Sequence, residues 1–323
     1  MEIFLISKEV TLKIAADQLW VVQTDRETPI NPLYLDRIWM HHGIHLPGDV
    51  LAVLLEQQVE LVITQKGGTP LGILTPWVNE KGARSRKKQS LFALSVAAQQ
   101  EVAQWLFEKH SGQQRLLQHF NIAKNHSSYK QFNNLFEKQR NLLEAGILFP
   151  EDCQESYCSR LYYQCINTIL PSVFQFSSRS RQPAKDAYNA LINYAYGIFY
   201  GITEGAIRRA GLDPYIGFLH KERDGQPALV FDFIESFRPL ADEVCISLCI
   251  GKELSPNKHF RKEANGVYLN NSGKEILIPA LMEFLDLPVH GTDQRSISRK
   301  NNIFKKAEQL QTLIANWEYT QNP

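Results

Sequence analysis

The sequence predicts an α+β fold, in which a small N-terminal β domain precedes a larger, mainly α-helical domain. Three observations support this. Apolar and polar residues alternate over residues 1–76, which is typical of strands. A polar, basic stretch without apolar periodicity follows at 77–89, which favours a linker. From residue 90 to 323 the apolar residues recur mainly at helical spacing. The predicted units are therefore a β domain (1–76), a linker (77–89) and a helical domain (90–323).

Two alternating runs define the strands of the first unit. In "EIFLISKEVTLKIAADQLWVVQ" the pairs Lys8–Glu9 and Ala16–Asp17 are predicted turns. In "VELVITQKGGTPLGILTP" the pair Gly67–Gly68 is a hairpin signal. The intervening "LPGDVLAVLLEQQ" has the pattern of one short helix. We therefore expect a mostly antiparallel β unit with a single helix.

The second unit contains several amphipathic segments. In "LFALSVAAQQEVAQWLFEKH" one apolar stripe is predicted to contain Leu94, Ala98, Val102 and Trp105. The segments "EILIPALMEFLDLPVH" and "NNIFKKAEQLQTLIANWEYT" predict two later helices.

The longest predicted helix lies in "DAYNALINYAYGIFYGITEGAIRRAGLDP". Asp186 is suited to cap its start, and Gly211 and Pro214 are suited to end it. Three further glycines of this segment recur every four residues, at positions 197, 201 and 205. This spacing forms a smooth groove, which favours close packing of another element over a ligand site.

Composition limits the possible classes of protein. The chain has 323 residues, of which 44% are hydrophobic and 21% charged, with a formal net charge of +1. This composition is typical of globular proteins. No apolar run approaches the roughly 20 residues that a membrane span needs, and "MEIFLISKEVTLKI" alternates unlike a signal peptide. The sequence therefore predicts a cytoplasmic protein, and any binding of nucleic acid requires a local basic patch.

The cysteines are odd in number and form no CxxC motif. They are Cys153, Cys158, Cys165, Cys245 and Cys249. Since Cys158 and Cys165 fall on apolar helix positions, we expect reduced core thiols and no zinc site.

Charged side chains interrupt the apolar pattern of "GFLHKERDGQPALVFDFIES". His220 closes its first apolar stretch, and Asp232 and Glu235 interrupt the second. A third such carboxylate, Glu155, begins the helical pattern of "ESYCSRLYYQCINTIL" and shares its apolar face. Charged groups rarely enter a core without partners.

These four side chains are candidates for one cluster. Carboxylates with one imidazole suit a hard divalent ion such as Mg²⁺ or Mn²⁺. Salt bridges explain them as well, with Arg238 the nearest cation, and so does a hydrogen-bonded core histidine. Glu155 at a helix N-terminus also has a favourable interaction with the helix dipole.

Basic side chains are concentrated in two places. The predicted linker contains Arg84, Arg86, Lys87 and Lys88, and the C-terminal region contains Arg295, Arg299, Lys300, Lys305 and Lys306. Both groups are candidates for contacts with phosphates of a nucleic acid. A solvated tether and a solvated helix face explain them as well.

Four motifs between Glu155 and Asp242 together point to a known family. They are "ESYCSRLYY", "PAKDAYNALINYAYG", "AGLDPYIGFLH" and "ALVFDFIESFRPLAD". In order and spacing they resemble the CRISPR adaptation integrases, metal-dependent enzymes that insert new spacers into a CRISPR array. The resemblance is looser over residues 1–76 and 260–315.

The resemblance implies a set of site residues. Glu155, His220 and Glu235 match the positions that hold the catalytic Mg²⁺ or Mn²⁺ ion in the family, and Asp232 and Asn189 are expected beside them. One departure is Ser156, which stands where the family usually has glycine. Since a hydroxyl there is suited to cap the helix, we expect the activity to be retained.

The resemblance also implies an activity and partners. The 3′-hydroxyl of an incoming protospacer DNA attacks a phosphate at the border of a CRISPR repeat, and reaction with water gives endonuclease activity. The family acts as a homodimer, paired through its β domains, with a small ferredoxin-like CRISPR adaptation subunit. Two alternatives remain open, a related transposon-type integrase and a catalytically idle DNA-binding scaffold.

Overall fold

The structure is a computed structural model of the chain. It describes residues 2–6, 10–15, 18–23, 26–32, 35–57, 59–65, 70–75, 83–146, 155–220, 224–290 and 296–318. An N-terminal β-rich part is followed by a mainly helical part, which confirms the predicted fold class.

The N-terminal part contains two sheets and one helix within the described residues. Their bounds are β1 Glu2–Leu5, β2 Thr11–Ala15, β3 Gln18–Gln23, β4 Arg26–Ile30, β5 Arg37–His41, α1 Gly48–Glu56, β6 Glu60–Thr64 and β7 Pro70–Leu74. One sheet has the strand order β1-β5-β6-β7 and the other β2-β3-β4. The single predicted helix is confirmed as α1.

The strand pairing differs in part from the prediction. β1 pairs in parallel with β5, and β5 in parallel with β6, so the expected hairpin between β1 and β2 is wrong. The alternation of apolar residues shows that a segment is a strand but not which strand it pairs with. Because α1 crosses over between β5 and β6, it allows them to be parallel.

Two predicted hairpins are confirmed by their flanking strands. β2 pairs antiparallel with β3, and β6 with β7. The predicted turn residues Lys8–Glu9, Ala16–Asp17 and Gly67–Gly68 lie outside the described residues.

The rest of the chain is mainly helical. Its helices are α2 Ala83–Ala93, α3 Val96–His119, α4 Ser127–Glu144, α5 Glu155–Ile169, α6 Ala187–Arg209, α7 Ala228–Phe233, α8 Arg238–Ile250, α9 Pro256–His259, α10 Asn271–Asp286 and α11 Arg299–Asn316. Short 3-10 turns cover Ser172–Phe174 and Ile234–Phe237. Two hairpins pair β8 Phe260–Glu263 with β9 Gly266–Leu269, and β10 Pro288–His290 with β11 Ser296–Ser298. In the described part, no helix is long and apolar enough to cross a membrane.

The second half of the predicted linker is helical. Residues 83–89 belong to α2, and residues 77–82 lie outside the described part. Over these residues the helix is held by the buried Gln89 amide, which donates to the carbonyl oxygens of Asp213 and Ile216 at 2.8 and 3.0 Å, and Phe92 adds a buried ring at its end. Since these contacts require no apolar stripe, periodicity could not reveal this helix.

The helical segment predicted after the linker is divided in two. Ser95 caps the start of α3 by accepting from the Ala98 amide at 3.2 Å. Leu94, assigned to the apolar stripe, is 86% exposed at the break, whereas Ala98, Val102 and Trp105 are buried as predicted.

Helix α6 lies at the centre of the helical part and packs against α7, α8 and α11. Asp186 caps it as predicted, by accepting from the Asn189 amide at 2.8 Å. Gly211 ends it with φ of +79°, a conformation that favours glycine.

The glycine groove of α6 receives side chains from the N-terminal sheet. All five residues of β5 are buried, since α6 covers the face of β5 turned away from the N-terminal core. The Arg37 guanidinium lies against Gly205 and donates to the Gly201 carbonyl at 2.9 Å, and the Trp39 indole lies against Gly201. The expectation of close packing is therefore confirmed, with side chains of a strand as the packing partner.

We expect Gly201→Ala to lower the free energy of unfolding by about 1–3 kcal/mol, the usual range for overpacking. The added methyl group would overlap the Trp39 indole. Urea unfolding measures the change. Gly48→Ala is the matched control, because no atom lies within 4 Å of a methyl group there. Equal stability of the two variants would contradict the packing described.

Candidate active site

Lysine 109 lies at the point where α3, α5 and the 3-10 turn 234–237 meet. The stripe of Ala98, Val102 and Trp105 reaches position 109 after one more turn of α3. The Lys109 side chain is therefore directed into the protein, and it is 5% exposed. A lysine is rarely so buried unless its charge is paired.

The carboxylates of Glu155 and Glu235 meet at this ammonium. Lys109 Nζ lies 2.5 Å from Glu155 Oε1 and 2.7 Å from Glu235 Oε2. Glu155 begins α5 and its side chain is 40% exposed, whereas the Glu235 side chain is 10% exposed. Two candidates far apart in the sequence thus converge on one cation, and Glu155 is on the open side.

Further contacts fix the orientation of both carboxylates. Ser159 Oγ donates to Glu155 Oε1 at 2.9 Å, one turn along α5. Arg238 Nε donates to Glu235 Oε1 at 2.7 Å, which confirms the salt bridge considered from the sequence. Arg238 also donates to the Tyr200 hydroxyl at 2.9 Å and stacks on the Tyr196 ring. Glu235 is therefore held between two cations.

Neighbouring charges favour the ionised forms of Glu235, Glu155 and Lys109. Burial by itself raises the pKa of Glu235, but the Arg238 and Lys109 charges outweigh it and lower the pKa to about 2. For Glu155, burial is likewise outweighed by Lys109, and the pKa is lowered. Burial opposes the ammonium of Lys109, yet Glu235 and Glu155 raise its pKa.

Asp232 holds His220 and the loop that carries it. The Asp232 carboxylate is fully buried and accepts from His220 Nδ1 at 2.5 Å. It also accepts from the backbone amides of Phe218, Leu219 and His220, at 2.6, 2.9 and 3.1 Å. An ionised carboxylate can only accept, so the proton lies on Nδ1, and Nε2 has a lone pair whenever the ring is neutral.

The His220 side chain is 48% exposed. The hydrogen bond to Asp232 raises the pKa of His220. Burial opposes this shift, and the charges of Asp232 and Glu235 support it. His220 thus lies within the electrostatic influence of Glu235. Asp232 therefore orients His220.

Asn189, the other residue expected beside the site, has a different set of partners. Its amide nitrogen donates to the Ser178 carbonyl and to Asp186 Oδ2, at 2.9 and 2.6 Å. Its amide oxygen accepts from the Ser180 amide at 3.0 Å and from Arg179. Both ends of the amide are therefore used to fix the 178–180 loop at the start of α6.

The donor set can be compared with the needs of a divalent ion. In the described part of the chain, no group of three His, Cys, Asp or Glu side chains is arranged to hold one. The Glu155 and Glu235 oxygens, however, already surround one small cation, the Lys109 ammonium. Hard oxygen ligands of negative charge are what Mg²⁺ and Mn²⁺ prefer. The pair therefore fits such an ion, and His220, whose pKa is raised in part by the Glu235 charge, carries a further donor atom, Nε2.

Sequence reasoning missed Lys109, although a signal existed. The predicted apolar stripe of α3 ends at Trp105. The next position on the same face of the helix is 109, four residues later, and it is a lysine. A charged residue on a buried stripe raises the same question as Asp232 and Glu235.

His110, the next residue, is also buried, and its Nδ1 lies 2.7 Å from Gln139 Oε1. Burial, aided by the Lys109 charge, lowers the His110 pKa from 6.5 to about 4. Between these values the unfolded chain binds more protons than the folded one. The free energy of unfolding is therefore expected to fall, by up to about 3 kcal/mol, as the pH decreases from above 6.5 to 4.

Urea unfolding of His110→Gln at pH 7 and pH 5 tests this expectation. The variant should lose part of the acid destabilisation, whereas His119→Gln, at an exposed position of the same helix, should retain all of it. The same pH dependence in both variants would show that His110 is not the source.

Of the predicted basic groups, the one on α2 is the more accessible. Arg84, Arg86 and Lys87 are exposed, with Arg86 Nε 3.5 Å from Asp213 Oδ2. Lys88 donates to the Ala315 carbonyl of α11 at 2.6 Å. These residues therefore project from a helix that is anchored at Gln89 and Lys88.

The C-terminal basic group is largely engaged inside the chain. Arg299 stacks on Phe284, Lys300 contacts Glu2 at 2.8 Å, and Lys306 contacts Glu108 at 2.5 Å. Lys305 is half-buried, and Arg295 lies outside the described residues. Any role of this group in binding DNA would require some of these ion pairs to open.

The cysteines lie where the sequence predicts. Cys158, Cys165, Cys245 and Cys249 are buried, reduced thiols, and Cys153 lies outside the described residues.

Comparisons with known proteins give the family. A family model described as "CRISPR associated protein Cas1" matches residues 3–283. The CRISPR-associated endonuclease Cas1 1 of Archaeoglobus fulgidus is 26% identical over 278 residues, which cover 80% of each chain. Relatives from Thermus thermophilus, Nanoarchaeum equitans and Leptospira interrogans are 33–43% identical, but the matches span 33–43% of their own lengths.

Solved structures show the same fold. A CAS1 protein from Thermotoga maritima superposes with a TM-score of 0.81 at 18% identity, covering 100% of both chains. A casposase bound to its integration product gives 0.80 at 18% identity, covering 99% of this chain and 92% of that one. Together with the family model, which spans most of the sequence, this confirms the resemblance found in the motifs: the chain belongs to the CRISPR associated protein Cas1 family.

Proposed function

We propose that this chain is a divalent-metal-dependent DNA endonuclease and integrase, which inserts protospacer DNA into a CRISPR array. The observation that carries the proposal is the convergence of Glu155 and Glu235, from two separate elements, on a single cation. The family and the name "CRISPR-associated endonuclease Cas1" of its relatives support the same activity.

In the proposed reaction, the 3′-oxygen of the incoming strand attacks a phosphorus at the repeat border. A new P–O bond forms, the bond from that phosphorus to the 3′-oxygen of the neighbouring nucleotide breaks, and the proton of the attacking hydroxyl leaves. When bound, a Mg²⁺ or Mn²⁺ ion supplies Lewis acidity for activating the nucleophile and stabilising the leaving oxygen.

The residues of the chain have separate parts in this proposal. Glu155 and Glu235 hold the ion, and Arg238 and Ser159 hold those carboxylates in place. His220, oriented through Nδ1 by Asp232, presents Nε2 either as a ligand or as an acceptor for the hydroxyl proton. In either role Asp232 prevents the ring from turning away.

For the DNA contacts we favour Arg84, Arg86 and Lys87 over the C-terminal group, because they are exposed on α2. Cations at exposed positions can reach phosphates directly, and the Arg86 side chain is 51% exposed even though it pairs with Asp213. Arg299, Lys300, Lys305 and Lys306 remain secondary candidates.

The proposed partners are those implied by the family. We propose a homodimer formed through the N-terminal β domain, residues 1–76, and an assembly with a small ferredoxin-like CRISPR adaptation subunit. A structural neighbour, the "Cas6-RT-Cas1--Cas2 complex", supports assembly with a further subunit at a TM-score of 0.77. Another, a "TtCas1-DNA complex", supports DNA as a partner at a TM-score of 0.58.

A related transposon-type integrase is the second candidate, since the casposase superposes as well as the Cas1 protein does. The test is an integration assay in Mn²⁺ with a fragment bearing free 3′-hydroxyls. Joining to DNA that contains a CRISPR repeat, but not to scrambled DNA, is expected. Joining only when the fragment carries the terminal inverted repeats of a mobile element would favour the transposon, and no joining to any DNA would favour an idle DNA-binding scaffold.

A further inference from the structure

The Lys109 ammonium has an unusual position for a lysine that serves only to stabilise the fold. It is 5% exposed and lies between two carboxylates that come from different elements, at 2.5 and 2.7 Å. A lysine head group is a compact point charge, strongly hydrated in water, and its burial is costly without close anions. Here both anions are residues that the proposed function assigns to the ion.

Without a cation between them, Glu155 and Glu235 would repel each other. Among the described residues, Arg238 compensates one oxygen of Glu235 but has no such contact with Glu155, which also accepts from the neutral Ser159 hydroxyl. Lys109 is thus the group that binds both carboxylates, and it keeps them directed towards one point.

We propose that Lys109 occupies the divalent-ion position in the metal-free protein and must move aside when the ion binds. This inference rests on the proposed function, because it presupposes that Glu155 and Glu235 bind the ion. Lys109 is then a positioning residue: it preserves the site without metal and lowers the affinity for metal through competition.

Geometry and charge both require this competition. Mg²⁺ binds oxygen at about 2.0–2.1 Å, closer than the ammonium nitrogen lies to either carboxylate. An ion there would be in contact with the ammonium, and like charges at such a distance repel strongly in a buried site. The four-carbon stem of lysine has rotatable bonds, so the ammonium group can move out of the site. The Glu155 side chain is half-exposed, and the site is therefore open to solvent on that side.

Binding of Mn²⁺ alone to the full chain, in the absence of DNA, tests the proposal at constant pH. Electron paramagnetic resonance of free Mn²⁺ gives the dissociation constant. Lys109→Met keeps an unbranched side chain, one atom shorter, and removes the charge, and should bind Mn²⁺ roughly tenfold more tightly or better. Lys109→Arg keeps the charge and can bind both carboxylates at once, and should bind Mn²⁺ more weakly.

The matched control is Lys274→Met. Lys274 is also a buried lysine and lies over the Tyr194 ring, in a pocket whose lining includes neither Glu155 nor Glu235. Its Mn²⁺ affinity should equal that of the wild type. Far-ultraviolet circular dichroism establishes that each variant is folded, and the arginine variant still tests the proposal if the methionine variant does not fold.

Two kinds of failure can be told apart. If the wild type binds Mn²⁺ and Glu155→Ala abolishes binding, the metal centre stands; unchanged or weaker affinity in folded Lys109→Met, or tighter affinity in Lys109→Arg, would then overturn the role of Lys109. If Mn²⁺ affinity is the same in the wild type and in Glu155→Ala, the metal centre itself fails and the inference fails with it.

Discussion

Replacing Glu155 with alanine is expected to reduce strand transfer by at least about a hundredfold, while affinity for DNA at moderate salt changes little. Loss of a group that only orients a metal ligand typically costs 10–100-fold, so loss of a ligand should cost more. DNA affinity depends mainly on cations at the surface, which the substitution leaves in place. Fluorescence anisotropy and strand transfer on the same branched substrate separate the two effects.

Glu235→Ala should give the same loss of strand transfer together with a loss of stability. The buried Lys109 and Arg238, whose side chain is 12% exposed, both lose a partner, and breaking a buried pair costs about 3 kcal/mol or more. Because Glu155 is 40% exposed, its replacement should affect stability less. Glu144→Ala, on the surface of α4, is the control for both measurements. Wild-type strand transfer in either site variant would exclude this cluster as the reaction centre.

The second large effect is expected for Asp232→Ala. The substitution removes an acceptor of four hydrogen bonds, three of them from consecutive backbone amides. Hydrogen bonds to a charged group contribute about 1.5–3 kcal/mol each, and the amides regain part of this from water, so we expect a net loss near 3 kcal/mol. Strand transfer should fall about 10–100-fold as well, because His220 loses its orientation.

Asp213→Ala is the control for Asp232, since Asp213 lies at the start of the same loop. Its side chain accepts from one backbone amide, that of Tyr215 at 2.9 Å, and pairs with the exposed Arg86. Its replacement should cost less than about 1 kcal/mol. If Asp232→Ala unfolds in urea like the wild type and retains strand transfer, the Asp232–His220 contact has no part in the site.

The fold class could be predicted because apolar residues recur at strand spacing in the N-terminal part of the chain and at helical spacing in the rest. Strand pairing could not, because β1 pairs with β5, about thirty residues later, and local alternation contains no information on distant partners. Residues 83–89 of α2 were missed for another reason: their buried side chain is the polar Gln89, and the buried apolar residue Phe92 follows only at the end of the helix.

For the candidate site, local sequence patterns likewise identified the residues but not their contacts. Glu155, Asp232, His220 and Glu235 could be singled out because each is a charged or polar residue on an apolar pattern. Which of them meet could not be predicted, since contacts between α3, α5 and the 3-10 turn depend on tertiary packing. Lys109, which joins two of them, is visible in the sequence only if the stripe of α3 is followed past Trp105.

The most direct test of the metal centre is a crystal of the chain soaked in Mn²⁺, examined by anomalous scattering. We expect one strong peak at about 2.0–2.3 Å from oxygens of both Glu155 and Glu235, with His220 Nε2 as a further ligand or one water away, and Lys109 displaced. A peak elsewhere, or a Lys109 ammonium still between the two carboxylates at saturating Mn²⁺, would contradict the proposed mechanism.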